Sequence, residues 1–391
     1  WSSVVSASIF SPGSAIAIHW KGLCALTLKY PATIVPANEC TGTGVSVTMV
    51  RRVILDAAQA RTTVRPTGGV DDLVALTAED MGGVDALILD RMQSDVPLIP
   101  ALGEHLISAG GKRLRPLLTV AAARLAGAQD DACLKLAAAV EFIHSATLLH
   151  DDVVDGSERR RGKIAAHLIW GRSSAVLVGD FLFARAFELM VETDSLRALQ
   201  ILAHASSVIA EGEVLQLTRA HDLNLDQPTY LKIVEAKTAE LFAAAAESGA
   251  VSAGADEARI AALRAYGLNL GLAFQLVDDA LDYDGSSDAL GKNAGDDFRE
   301  GKATLPLLLA IARSGPREAE FWERAIGRLE QTEADFRRAR ELIVGSGALQ
   351  STLDAAGDYA DAAKAALSVF PASPLRQALE DLADFSVNRA V

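Results

Sequence analysis

Half of the 391 residues are hydrophobic and only 5% are aromatic, and Ala and Leu dominate, which is the composition of a helical protein with a large core; length alone would allow two domains. The formal charge of −14 excludes the basic face that nucleic acid requires, and it makes anionic substrates awkward unless metal ions and local cations reverse the field at their site. No run of about eighteen apolar residues marks a membrane span, and three cysteines (Cys24, Cys40, Cys133) do not make a disulfide framework, which fits a reducing cytoplasm.

Residues 1–48 contain one acidic residue, Glu39, and scattered Ser, Gly, Pro and Thr without helical or strand period. They lack both the Arg-rich amphipathic character of a transit peptide and the basic–apolar–small order of a signal peptide. Met49, followed by Val50-Arg51-Arg52, looks like a natural start, so 1–48 is expected to be a disordered or non-native extension and 49–391 the folded domain.

From about residue 70 the pattern is helix after helix. Leu73, Val74, Leu76, Met81, Val84, Leu87 and Ile88 form a stripe at i, i+3, i+4 spacing over 71–92. A helix over 99–108 ends at Gly110-Gly111, and Pro116 suits the first turn of the next, 117–125. Asp130 or Asp131 can cap the long helix that runs through Ala137, Val140, Ile143 and Leu148 to Asp151. Further helices are predicted over 174–191, 195–213, 229–248, 256–283, 303–313, 318–331, 333–344 and 353–369, punctuated by Gly156-Ser157, Pro228, Gly285 and Pro374. No alternating strand run and no fixed-period repeat occurs, so the expected fold is an all-α single domain.

Two of these helices carry the same acidic pattern, DDxxD: Asp151, Asp152 and Asp155 in one, Asp278, Asp279 and Asp282 in the other. At ~3.6 residues per turn the first and last aspartate of each motif share a face, where like charges destabilise a plain helix. An apolar run precedes each cluster (146–149 and 272–277), which points to a cation between them. Oxygen ligands favour hard ions, and Mg²⁺ characteristically takes one or two carboxylates together with waters and substrate phosphates. The pair therefore reads as a site for metal-bound diphosphate. One such cluster alone would be an ordinary solvated helix face.

Basic residues follow the same order along the chain. Lys112, Arg113 and Arg115 stand on a glycine-led turn at a helix start, where backbone N–H groups also favour anions. His144 lies two turns before Asp151, Arg160 and Arg161 follow the first cluster, Lys237-Thr238 sits within a helix, Gln275 is three residues ahead of Asp278, and Lys292 and Lys302 flank Asp296-Asp297. Singly, each cation reads as a solvated or snorkelling side chain and His144 as a hydrogen-bonded core histidine.

Taken together, GGKRLRP (110–116), LLHDDVVDGSERRRG (148–162), GDFLF (179–183), KT (237–238), FQLVDDALD (274–282) and GDDFREGKATLP (295–306) resemble the trans-type polyprenyl diphosphate synthases, over roughly residues 94–391. The resemblance implies a helical bundle around a deep central cavity with both aspartate clusters at its mouth, a homodimer, and about three Mg²⁺ per active site, with Mn²⁺ able to substitute. It implies that Asp151, Asp155 and Asp278 bind metal, with Asp152, Asp279 and Asp282 supporting. Arg160, Lys237 and Lys302, with Lys292 less securely, would contact an allylic diphosphate (farnesyl or geranyl). Lys112, Arg115, His144 and Arg161 would hold isopentenyl diphosphate, and Thr238 and Gln275 would line the carbocation's path. The family has two arginines before the glycine at 162; Arg159 is an unassigned third.

In short-chain relatives a bulky aromatic just before the first cluster closes the cavity floor. Ala146 and Thr147 stand there and leave it open, which implies an octaprenyl to decaprenyl product of the kind used in quinone (ubiquinone) side chains, made in the cytoplasm by an enzyme loosely membrane-associated through its product. Close helix packing is the plainer reading of Ala146. A terpene cyclase would replace the second DDxxD, a silent partner subunit would lose aspartates from one cluster, and a di-iron bundle would need a second copy of the Glu141-x-x-His144 spacing.

Overall fold

The computed structural model describes residues 70–108, 113–160, 162–284 and 295–388, all within the compact unit Arg65–Val391. The extension 1–48, Lys112, Arg161 and Lys292 lie outside the described residues.

Helices succeed one another as expected: α1 Val70–Leu76, α2 Ala78–Arg91, α3 Leu98–Ser108, α4 Leu114–Ala126, α5 Ala132–Val154, α6 Ala166–Trp170, α7 Arg172–Val191, α8 Leu196–Thr218, α9 Gln227–Val234, α10 Glu240–Ser252 and α11 Glu257–Asp284. The C-terminal part holds α12 Asp296–Arg299, α13 Leu305–Ala312, α14 Pro316–Trp322, α15 Asp335–Gly345, α16 Ala348–Ala366 and α17 Pro374–Asn388. The one sheet among the described residues is an antiparallel pair, β1 Arg159–Arg160 and β2 Lys163–Ile164.

Small residues set the spacing of the central helices. In α10 the run Ala243–Ala246 is wholly buried, and α10 packs on α4, α8 and α11; α5 packs on α7, and α11 on α16. A Cβ on Gly249 would lie 2.3 Å from the Thr119 carbonyl oxygen of α4, and one on Gly267 would lie 2.3 Å from that of Phe242. The backbones touch where a side chain would hold them apart. Both α5 and α11 are long and apolar enough to cross a membrane by length and composition, and 56% of each apolar window is buried inside the protein. The charge-poor core of the bundle accounts for that composition.

Differences from the sequence reading have local causes. The predicted helix 71–92 breaks at Thr77, whose hydroxyl turns back to the Leu73 carbonyl at 2.8 Å. The stretch 318–331 ends early, in a π-turn over Glu323–Gly327, and Gln331 instead donates to the carbonyls of Phe298 and Ala325. Helix α16 starts five residues before the expected 353, behind Gly347 at φ 71°. The sequence marks Pro374 as punctuation after the helix predicted to end at 369; in the structure this proline begins α17. Its buried Ala378, Leu379, Leu382, Ala383 and Ser386 form the stripe that would have revealed it.

Two glycine substitutions separate close approach from open space. Gly267→Ala should destabilise the protein by about 1–3 kcal/mol, because the new methyl meets backbone. Gly357→Ala, on α16 with nothing within 4 Å, should stabilise by about 0.5–1 kcal/mol through helix propensity. Urea midpoints of the two variants beside wild type check both signs.

Candidate active site

The first aspartate cluster closes α5. Asp152 points inward, almost fully buried, and accepts both Nε (2.9 Å) and Nη2 (2.5 Å) of Arg160 on its Oδ1. Gly156 (φ 66°) and Gly162 (φ 77°) supply the two turns that bring β1 back over the helix end and place Arg160 there. Asp151 and Asp155 lie on another face of α5 and meet different cations. Lys302 Nζ is 3.7 Å from Asp155 and 2.5 Å from Glu300. Lys237 forms an ion pair of 2.8 Å with Glu213 of α8, and both bear on Asp151. Burial pushes the Asp151 carboxyl up to about 7; Lys237 opposes the shift, while Glu213 and Asp155 add to it.

Lys237 and Thr238 reach this place through a break in helical register. The predicted helix 229–248 is α9 and α10 joined by a π-turn, Glu235–Ala239, where an extra residue per turn swings both side chains inward. Gly212 permits it: a Cβ there would lie 2.7 Å from that of Ala236 and 3.1 Å from the Lys237 nitrogen.

The second cluster ends α11, and its members divide the work. Asp282 accepts the backbone N–H groups of Gly295 (3.1 Å), Asp296 (3.2 Å) and Asp297 (3.2 Å), which anchors α12. Asp279 is buried, accepting Tyr230 Oη at 2.5 Å and Gln275 Nε2 at 2.7 Å, and Thr238 Oγ1 donates to Gln275 Oε1 at 2.9 Å. Asp278 is half-buried. Burial, with Asp297 adding, raises Asp279 to about 8 against its two hydrogen bonds, and burial and Asp297 raise Asp282 to about 7. Burial disfavours the Lys302 charge, but Asp297, Glu300 and Asp155 outweigh it, so this ammonium stays protonated beside the first cluster.

Beside the clusters, Arg115 in the first turn of α4 lies with Nη1 3.2 Å from His144 Nε2 and its guanidinium 4.3 Å over the Phe242 ring. A pocket along α5 is lined by His144, Leu148, Phe142 and Arg160, with Met92 and Leu106 across from them. Ala146 is completely buried in the core, and Thr147 is half-buried with its hydroxyl on the His144 carbonyl at 2.8 Å; neither borders this pocket.

The structure thus gathers Asp151, Asp155, Arg160, Lys237 and Lys302 in one place, Thr238, Gln275 and Asp279 in another, and Arg115 with His144 in a third. Sequence reading missed Glu213, Tyr230, Asp297 and Phe242. Among the described residues no three His, Cys, Asp or Glu side chains converge closely enough to hold an ion by themselves. The donors do fit a hard cation: carboxylate oxygens, raised by burial and mutual repulsion, that gain when positive charge arrives.

A helical bundle with two carboxylate clusters, the first beside Arg160, Lys237 and Lys302, is the architecture of an enzyme that handles diphosphates. Residues 96–343 match the model of the polyprenyl synthetase family. The chain is 46% identical over 316 residues to the octaprenyl diphosphate synthase of Escherichia coli (strain K12), covering 80% of this chain and 97% of that one. It superposes with TM-score 0.81 and 76% identity on a polyprenyl synthase from Caulobacter crescentus CB15 complexed with calcium and isoprenyl diphosphate, covering 84% and 100%. A decaprenyl diphosphate synthase from Rhodobacter capsulatus gives 0.80 and 52%, covering 82% and 99%. The chain belongs to the polyprenyl synthetase family and is a prenyltransferase that makes long-chain trans-polyprenyl diphosphates.

Three carboxyls titrating above their ordinary 3.8 make the metal-free protein sensitive to pH. Each keeps its proton in the folded state at pH values where the unfolded chain has lost it. Their contribution therefore favours folding at low pH and is lost as pH rises from about 4 toward 7 or 8. Asp335, held far below the ordinary range by Arg324, acts in the opposite sense only at lower pH. In chelator the Tm should be lower at pH 8 than at pH 6, Asp151→Asn should shrink the difference, and Mg²⁺ with inorganic diphosphate should narrow it. A scanning-fluorimetry series over that range reads all three.

Proposed function

We propose that this prenyltransferase condenses isopentenyl diphosphate head-to-tail onto farnesyl or geranyl diphosphate, Mg²⁺-dependently, giving an octaprenyl to decaprenyl chain for a quinone. The observation that carries the reading is the gathering of three cations round the first cluster: Arg160 on Asp152, Lys237 beside Asp151 and Lys302 beside Asp155. Asp151, Asp155 and Asp278 would hold Mg²⁺, which when bound neutralises the diphosphate leaving group as a Lewis acid. The calcium and isoprenyl diphosphate named for the Caulobacter crescentus structure support that assignment.

Cleavage of the allylic C–O bond leaves an allylic cation and a diphosphate anion. Arg160, Lys237 and Lys302 face that anion with charges already in position, so little reorganisation is needed as it forms. In the resting protein each leans on a carboxylate (Asp152, Glu213, Glu300 with Asp155), and substrate oxygens replace those partners. Arg115 and His144, with Lys112 and Arg161, hold isopentenyl diphosphate so that its alkene attacks the cation. A C–C bond forms, and the proton lost goes to the released diphosphate. The hydroxyl of Thr238 and the carbonyl of Gln275, paired with each other, line the path of the cation. Water must be excluded from it, and the buried apolar residues of α4, α5 and α10 supply that environment.

A cytoplasmic homodimer fits the same reading: Leu168, Ile169, Leu177, Phe187 and Val191 on α6 and α7 are exposed apolar side chains of the kind a second subunit covers.

The decisive experiment is incubation with labelled isopentenyl diphosphate, farnesyl diphosphate and Mg²⁺, followed by sizing of the dephosphorylated products; a ladder ending at eight to ten isoprene units is expected. The absence of polyprenyl product with any allylic primer would overturn the reading. Arg115→Ala should raise the KM for isopentenyl diphosphate about tenfold or more, as loss of a charge-assisted hydrogen bond of ~1.5–3 kcal/mol implies, and that for farnesyl diphosphate much less. Equal effects would mean the two subsites are reversed. Ala146→Phe, with Thr147→Phe as a half-buried second site, should leave the first condensation intact and truncate the product. Unchanged length from both folded variants would return these residues to helix packing.

A further inference from the structure

Tyr230 is the one tyrosine hydroxyl hydrogen-bonded to an aspartate of either cluster among the described residues, and no role in the reaction described above requires it. It sits on α9, 4% exposed, and its ring packs in the core with Val234, Leu276 and Leu305. Its hydroxyl donates to Asp279 Oδ2 at 2.5 Å, while Gln275 donates to Oδ1 at 2.7 Å. Gln275 in turn accepts the Thr238 hydroxyl at 2.9 Å. One chain of side-chain hydrogen bonds therefore ties three elements: α9, the π-turn that carries Lys237 and Thr238, and the end of α11.

We propose that Tyr230 is a positioning residue for the reaction, fixing Asp279 and, through Gln275 and Thr238, the register between the second aspartate cluster and the Lys237–Thr238 turn. With a side-chain donor on each oxygen, Asp279 has one orientation, and the last turn of α11 has one rotation about its axis. Asp278 is the next residue, ~100° round the helix, so the direction in which it faces the site is set by how Asp279 is held. Gln275 uses both ends of its amide, Nε2 on Asp279 and Oε1 for Thr238, so the orientation of Asp279 is passed on to Thr238 through it. Removing the phenol hydroxyl lets Asp279 rotate, and that freedom passes to Asp278 on one side and Thr238 on the other. Partners one shell out from metal ligands characteristically contribute about 10- to 100-fold in affinity or activity.

This inference rests on the proposed Mg²⁺-dependent condensation, and wild-type turnover tests that reading separately. Tyr230→Phe keeps the ring and removes one oxygen. It should lower kcat about 10- to 100-fold and raise the Mg²⁺ concentration for half-maximal rate. The KM for isopentenyl diphosphate, whose subsite is built from α4 and α5, should change by less than about twofold, a change worth only ~0.4 kcal/mol. A residue that only packs would lower the Tm and leave both the Mg²⁺ dependence and kcat at low temperature where they were; that result overturns the proposal. Asp279→Asn should show the same kcat and Mg²⁺ signature, and the double variant should fall no further than Asp279→Asn alone, because both act on one carboxylate. Additive losses, or an Asp279→Asn enzyme with wild-type Mg²⁺ dependence, overturn it equally, even if Tyr230→Phe is too unstable to assay. If wild type itself makes no Mg²⁺-dependent polyprenyl product, the condensation reading fails first.

Discussion

Everything near the active site follows from carboxylates that the fold holds partly out of water on the ends of two helices. A buried charge is costly unless it is paired or hydrogen-bonded, and the six aspartates meet that demand in different ways. Asp152 has the Arg160 fork, Asp279 two side-chain donors, and Asp282 three backbone N–H groups of α12. Those three are fixed parts of the architecture. Asp151 and Asp155 instead have Lys237 and Lys302 nearby, and Asp278 is half-buried at the head of its motif. Within five residues the DDxxD pattern thus holds carboxylates in different settings: Asp152 is tied to a side chain of its own segment, while Asp151 and Asp155 look toward cations carried by distant elements.

The backbone geometry serves the same end. Lys237 and Thr238 could not both face α5 and α11 from a regular helix packed at the usual 8–10 Å. The π-turn over Glu235–Ala239 changes their direction, and Gly212 lets α8 approach it without a side chain between. Gly267 and the buried alanines of α10 pull α11 close, which brings Gln275 within 2.9 Å of Thr238. Small residues that look like low-information composition are what set these distances.

This explains which parts of the protein were legible in the sequence. Apolar stripes on α2, α5, α8 and α11 announced their helices, and the spacing within each DDxxD told that its end residues share a face. The order of the cations relative to those motifs pointed to Arg160, Lys237 and Lys302, and the structure brings all three to the first cluster. Helix α17 was obscured because Pro374 carries the same symbol whether it stops a helix or begins one. The π-turn was illegible because its cause lies on another helix, at Gly212. Glu213 and Tyr230 are separated from their partners by 24 and 49 residues, and nothing in local periodicity links such positions.

A chain with a net charge of −14 that works on diphosphates has to solve a field problem, and the resting site shows how it is solved. Three cations near the first cluster each have a carboxylate partner: Arg160 lies against Asp152, Lys237 against Glu213, Lys302 against Glu300 and Asp155. Pairing at rest holds these long side chains in place and avoids burying unpaired charge. In the mechanism proposed above, a metal-bound diphosphate would take these cations over from their carboxylates, an exchange of partners instead of a gain of new ones. Asp151, pushed up to about 7 by burial, is the group whose charge near neutral pH answers most directly to the cations around it: Lys237 and Arg160 favour its ionised form, while Glu213 and Asp155 oppose it.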